Sequence, residues 1–428
     1  MHLEKLTYKI KLVSFLWRMQ KTDVCILGGG PGGATAALFL ASKGISSVLI
    51  DKAKFPRDKI CGDALSGKVV SILNKLNSEL VNKLSSSSIQ VGSFGVKFFA
   101  PNLKNIRIPF KKDYPAVGNA PGFISKRIDF DNFLIEQVKL QPLIQLIENT
   151  QLKYFKRTNN EWLVGLNENE ILFSSKLLVV ADGAHSAFAR EFGKIEVEHE
   201  HYCAGIRAYY KNVSAMDEDN FIELHFLDEL LPGYFWIFPL PNGQANVGIG
   251  MRSDIVSKRK ANLKKLLPEI IEKYPSLKER FKNAELVDDV KGYGLPLGSK
   301  KRPISGDGYL LVGDAGSLID PFTGEGIGNA MLSGMVAAEI ALKAKNQNDF
   351  SKTLLKEYDE IVYRKLWNEL SLSKRLQNLS KHGWLFNFVV NKASRNKTVQ
   401  ETLSCMFNDL DIRSQLRKPS FYFKLLFG

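Results

Sequence analysis

Three stretches of the chain run densely apolar and then break abruptly at glycine. Residues 22–30 (TDVCILGGG) end in a glycine turn, small residues follow over 34–43, and 46–51 (SSVLID) turn apolar again. That order predicts a strand, a tight turn, a helix and a second strand. Residues 176–190 (KLLVVADGAHSAFAR) break at Asp182-Gly183. Residues 309–334 (YLLVGDAGSLIDPFTGEGIGNAMLSG) break at Gly313-Asp314, pass through a proline loop, and reach glycines 324, 326 and 328 ahead of a small-residue helix. Alternation in 234–241 (YFWIFPLP) and 245–251 (ANVGIGM) predicts two sheet strands, with Tyr234, Trp236 and Phe238 sharing one face. Such an aromatic stripe serves equally as plain core or as a pocket wall. From residue 346 onward the spacing of Leu354, Leu355, Tyr358, Ile361 and Val362 predicts helices.

The first break carries chemistry. Gly28, Gly30 and Gly33 form GxGxxG, in which the first glycine allows the turn, the second admits a pyrophosphate and the third packs helix on strand. Asp51 closes the second strand, where an acid accepts ribose hydroxyls. The pair predicts a dinucleotide held at a helix N-terminus. Asp182-Gly183 and Gly313-Asp314 add two more glycine-acid strand ends, each more than a hundred residues on. All three make sense if one long cofactor crosses the strand ends of a single sheet, which favours FAD over NAD. The helix start at Gly326-Ile327 is a further anion site.

Composition changes this picture only at the ends. With 428 residues, 44% hydrophobic and 24% charged, the chain suits a soluble globular protein of two or three packed units. Its apolar runs, such as 385–390, are too short to span a bilayer. Cysteines 25, 61, 203 and 405 lie far apart, and histidines 185, 199, 201 and 225 form no metal or nucleophile constellation, so no metal is expected. A cytoplasmic setting follows. Half of the +14 net charge falls in residues 371–428, interleaved with Trp384, Phe386, Phe388, Phe421, Tyr422, Phe423 and Phe427. Such a tail suits an anionic membrane surface or a basic helical cap. No nucleic-acid module accompanies it. Residues 1–18 read as an extension preceding the first strand.

Beyond these patterns, the three strand ends resemble the hydroxylase-type FAD fold. The segments PRDKICG (56–62) and YFWIFP (234–239) resemble the Pro-Arg-x-Lys-x-Cys-Gly loop and Tyr-x-Trp-x-Phe-Pro strand of the geranylgeranyl reductase family, a likeness covering roughly residues 20–345. The resemblance implies that Asp314 binds the ribityl chain and that Gly326-Ile327 faces the flavin pyrimidine. It also implies that the Arg127 fork grips FAD phosphate, that Gly32, Gly62, Asp63 and Leu65 line the cofactor, and that Leu152 touches adenine through its backbone. Cys61 then packs beside the flavin, with Tyr234, Trp236 and Phe238 along the substrate pocket. The implied activity is hydride transfer from flavin to carbon-carbon double bonds of a prenyl lipid or diphosphate, with NAD(P)H or another reductant as electron donor. Tyr234 is a candidate proton donor. The same fold also serves flavin monooxygenases and halogenases, and a non-catalytic flavin protein that binds lipid at a membrane surface is a third reading.

The expected architecture is α/β: a discontinuous Rossmann-like FAD-binding domain from residues 19–85, 122–190 and 297–345. An antiparallel β-sheet substrate domain is expected from 86–121 and 191–296, and a helical region from 346–428.

Overall fold

The computed structural model describes residues 19–110 and 120–394. The extension 1–18, Cys405 and the basic aromatic tail beyond residue 394 lie outside the described residues.

The apolar runs become the middle of one sheet. Gln20–Leu27 lies between Glu170–Val180 and Ser47–Ile50, with Tyr309–Leu311 beyond the former and Ile144–Ile147 beyond the latter, all parallel. Strands buried on both faces need uninterrupted apolar sequence, as VCIL and LLVV supply. An antiparallel meander, Tyr154–Thr158 and Glu161–Asn167, continues from Glu170–Val180. Helix Pro31–Ser42 covers this sheet and packs against helix Ile327–Gln347. Their backbones nearly touch, since a Cβ on Gly334 would fall 2.3 Å from the Gly32 carbonyl oxygen.

A second sheet holds the alternating segments. Tyr234–Leu240 pairs antiparallel with Gln244–Arg252, which pairs with Tyr202–Lys211, and Lys291–Pro296 adds to the latter. One pair departs from the expected antiparallel pattern: Ile222–His225 runs parallel to Gly95–Phe99. A parallel pair needs a long crossover, and here the chain passes through the first sheet before returning. Ala64–Leu65, Gly122–Ser125 and Gln90–Ser93 form a small sheet beside the two larger ones. Helices Lys352–Leu379 and Gly383–Ala393 follow. No helix among the described residues is long and apolar enough to cross a membrane.

Candidate active site

The glycine turn is shaped by what a side chain would hit. Gly28 has φ +95°, and a Cβ on Gly33 would fall 1.9 Å from the Gly28 carbonyl oxygen, so only glycine lets helix Pro31–Ser42 start this close to its strand. Gly30 differs. A Cβ there meets nothing nearer than the Arg57 guanidinium at 3.7 Å, which leaves the turn open to a ligand. Asp51, buried at the neighbouring strand end, accepts from the Gly29 amide at 2.7 Å and the Ala53 amide at 2.8 Å. Asp182 is exposed at the adjacent strand end, and Gly183 takes φ +89° within reach of Tyr293 and Lys59. Leu152 packs half-buried against the core of the first sheet.

Opposite the turn lies a cavity of about 1720 Å³. Cys61, Gly62, Asp63, Leu65, Arg127, Tyr234, Trp236, Phe238, Asp314, Gly326 and Ile327 all line it. Gly313, at φ +60°, donates its amide to Ser333 and lets the chain turn Asp314 toward Lys59 at 3.2 Å. At the start of helix Ile327–Gln347, Glu325 accepts from the Gly328 amide and from the Ser66 hydroxyl. The apolar wall is built from Val96, Ile222, Leu224, Trp236, Phe238 and Phe322.

Three features lay beyond the sequence reading. Arg127 is buried and its fork closes on Asp131, through Nε at 2.6 Å and Nη2 at 2.7 Å, instead of pointing at open space. A wholly buried carboxylate one helical turn away demands that partner. Arg57, also 2.8 Å from Asp131, is the cation beside the open face of Gly30. It stands in the PRDKICG segment, so the signal was present. The third is a polar network behind the cavity wall. Asp63, at φ 69° and fully buried, accepts from the Tyr209 hydroxyl at 2.7 Å and the Asn246 amide at 2.8 Å. Asn246 also donates to the Cys61 carbonyl and accepts from the Trp236 indole at 2.9 Å. Burial pushes the Asp63 carboxyl up to about 6, against the lowering pull of Tyr209 and Asn246.

Cys61 lies beside Arg127, and burial pushes its thiol up. Tyr234 donates its hydroxyl to the Thr323 carbonyl at 2.6 Å. Burial raises that hydroxyl well above the usual tyrosine range, so it holds its proton firmly.

These residues fit a long dinucleotide: an open glycine turn with a nearby guanidinium, a buried acid at a strand end, and a cavity reaching the second sheet. The chain matches the FAD binding domain family over residues 21–368, and with this fold and site it is an FAD-dependent oxidoreductase. It is 30% identical over 80% of its length to the digeranylgeranylglycerophospholipid reductase of Thermoplasma acidophilum, covering 84% of that protein. To the menaquinone reductase of Mycolicibacterium smegmatis it is 29% identical, over 79% of this chain and 81% of the relative. A geranylgeranyl bacteriochlorophyll reductase-like crystal structure from Thermoplasma acidophilum superposes with a TM-score of 0.77 at 24% identity, covering 94% of this chain and 99% of that one. The chain belongs to the geranylgeranyl reductase family.

Proposed function

We propose that this protein saturates carbon-carbon double bonds in the prenyl chain of a lipid or prenyl diphosphate. What supports the reading is the joining of two surfaces in one cavity, the Cys61–Asp63 loop on the cofactor side and the aromatic strand Tyr234–Leu240 on the other. In this reading the turn at Gly28, Gly30 and Gly33 receives the FAD pyrophosphate with Arg57. Asp51 takes the adenosine ribose, Asp314 the ribityl chain, and the Gly326-Ile327 helix start the pyrimidine side. Held by these residues, FAD would supply the two-electron hydride chemistry of the reduction, with NAD(P)H or another reductant as the source of its electrons.

The remaining work falls to the chain. An unpolarised alkene gains a proton on the neighbouring carbon, which demands a dry cavity and a fixed substrate. Trp236 and Phe238 present that dry wall, and Asn246 locks the Trp236 indole from behind. Tyr234 holds its proton firmly and spends it on Thr323, so it acts as wall and not as acid. Exposed Trp384 and Phe388, with Lys381 and Lys392 nearby in sequence, form the surface from which a membrane would deliver substrate. Co-sedimentation with anionic vesicles tests that part.

The central experiment is anaerobic. FAD-loaded protein reduced with dithionite is expected to add two hydrogens per double bond to a geranylgeranyl lipid or diphosphate, read by mass spectrometry. Unchanged lipid would overturn the reading, as would oxygen-dependent modification of an aromatic substrate.

A further inference from the structure

One apolar side of the cavity is closed by rings. On the paired strands Gly95–Phe99 and Ile222–His225 alternate side chains share a face, which sets Val96 beside Ile222 and Phe98 beside Leu224. The Phe226 amide still donates to the Phe99 carbonyl at 2.9 Å, so that face continues from Leu224 to Phe226. Val96, Ile222 and Leu224 line the cavity. Phe98 and Phe226, next along the same face, are buried and do not line it.

What stands at that boundary is Phe322. It lines the cavity and stacks on Phe226, with ring centroids 5.4 Å apart and planes 19° apart. Phe226 in turn meets Phe98 at 6.0 Å and Phe386, from helix Gly383–Ala393, at 4.4 Å. Three rings thus fill the space behind Phe322. Its backbone is pinned on both sides as well. The buried Asp320 carboxylate accepts from the Phe322 amide at 3.0 Å and the Thr323 amide at 2.8 Å. The Pro321 carbonyl accepts from Gln377 at 2.5 Å, and the Thr323 carbonyl from Tyr234 at 2.6 Å. A ring backed by packed rings on a pinned loop resists the extra carbons of a longer ligand, because a filled interior yields only at the cost of overpacking.

We propose that Phe322, backed by Phe226, is the stop against which an apolar chain ends, and so the residue that sets the length of chain this cavity accepts. The proposal rests on reading the cavity as the substrate site. Four residues on, the same loop reaches Gly326, where a Cβ would fall 3.6 Å from the Asp314 carboxylate. Depth is thereby measured from the loop that the proposed reading sets against the flavin. A chain resting on Phe322 presents one particular double bond, because fixing one end fixes the register of the rest.

Binding to oxidised, FAD-loaded protein tests this without requiring turnover. The probes are neutral prenyl alcohols of rising length, from farnesol through geranylgeraniol and geranylfarnesol to hexaprenol, in isothermal titration calorimetry at one detergent concentration. Each isoprene unit that finds room is expected to tighten binding at least about tenfold, and the unit that meets the stop to add nothing. Phe322→Ala should move that break to a longer alcohol, restoring about tenfold for the unit that wild type rejects. Phe322→Trp should move it the other way and weaken the longest accepted alcohol about tenfold. Flavin absorbance and melting temperature confirm that both variants are folded. A break at the same length in wild type and both variants overturns the proposal. So does wild-type affinity that keeps rising through the whole series, or failure of every alcohol to bind. A break that shifts in both directions as expected, in a protein that never reduces a prenyl lipid in the anaerobic assay, would instead sink the reductase reading and leave the stop standing.

Discussion

The two walls of the candidate active site are made in opposite ways. The glycine turn is built from backbone and from the absence of side chains, with Gly33 fitting because its missing Cβ would overlap the Gly28 carbonyl. The aromatic wall is built from side chains that satisfy one another, Trp236 to Asn246, Asn246 to Asp63, and Tyr209 to Asp63. A backbone-built wall fails through crowding. A side-chain-built wall fails through buried polar groups left unpaired.

Four single substitutions and one double replacement sharpen that contrast. Arg127→Ala leaves Asp131 buried with Arg57 as its remaining guanidinium, and should cost about 4 kcal/mol in urea unfolding. Replacing Arg127 and Asp131 together by leucine should recover most of the loss; if it does not, Arg127 has work beyond holding Asp131. Gly33→Ala should cost about 3 kcal/mol through overpacking against rigid backbone, and purified protein should lose its bound flavin absorbance.

Asp63→Asn probes the opposite wall through pH. The carboxyl titrates at about 6 when folded, above its ordinary value of 3.8, so the folded state holds the proton more tightly. Its stabilising contribution is therefore complete below about pH 4 and disappears as pH rises through about 6. Relative to this variant, whose amide does not titrate, wild type should lose about 3 kcal/mol between about pH 4 and pH 7 and then level off. A difference that stays flat over this window would mean that Asp63 is ionised throughout. Tyr234→Phe is the smallest change, removing one hydrogen bond to Thr323 for about 1 kcal/mol. Turnover should stay within about threefold, whereas loss of a general acid would slow it by about a hundredfold or more.

The same contrast explains what could be read from the sequence. Crowding and positive φ leave a direct mark, because both favour glycine, and Gly28, Gly183 and Gly313 stand at the three strand ends that the sequence predicts. Mutual satisfaction leaves none. Tyr209 and Asn246 are facing partners in adjacent strands, and they meet Asp63 from 146 and 183 residues away. Nothing in their local sequence marks them. Arg127 lies between these cases: its partner stands four residues on, within one helical turn, a spacing that permits an internal pair as readily as a grip on phosphate. The parallel pairing of Ile222–His225 with Gly95–Phe99 was hidden because alternation reveals which face a residue takes and not which way its neighbour runs.

Lys59 and Asp314 meet across 255 residues, and helix Ile327–Gln347 closes on Gly32 only after the second sheet has been traversed. During synthesis at typical rates, roughly 13 to 50 seconds separate the emergence of those two partners. For that interval the glycine turn exists without the segment that completes it. Cofactor capture is thus a late event in the life of the nascent chain, and a ribosome stalled before residue 314 would carry a half-built cleft that lacks Asp314 and helix Ile327–Gln347.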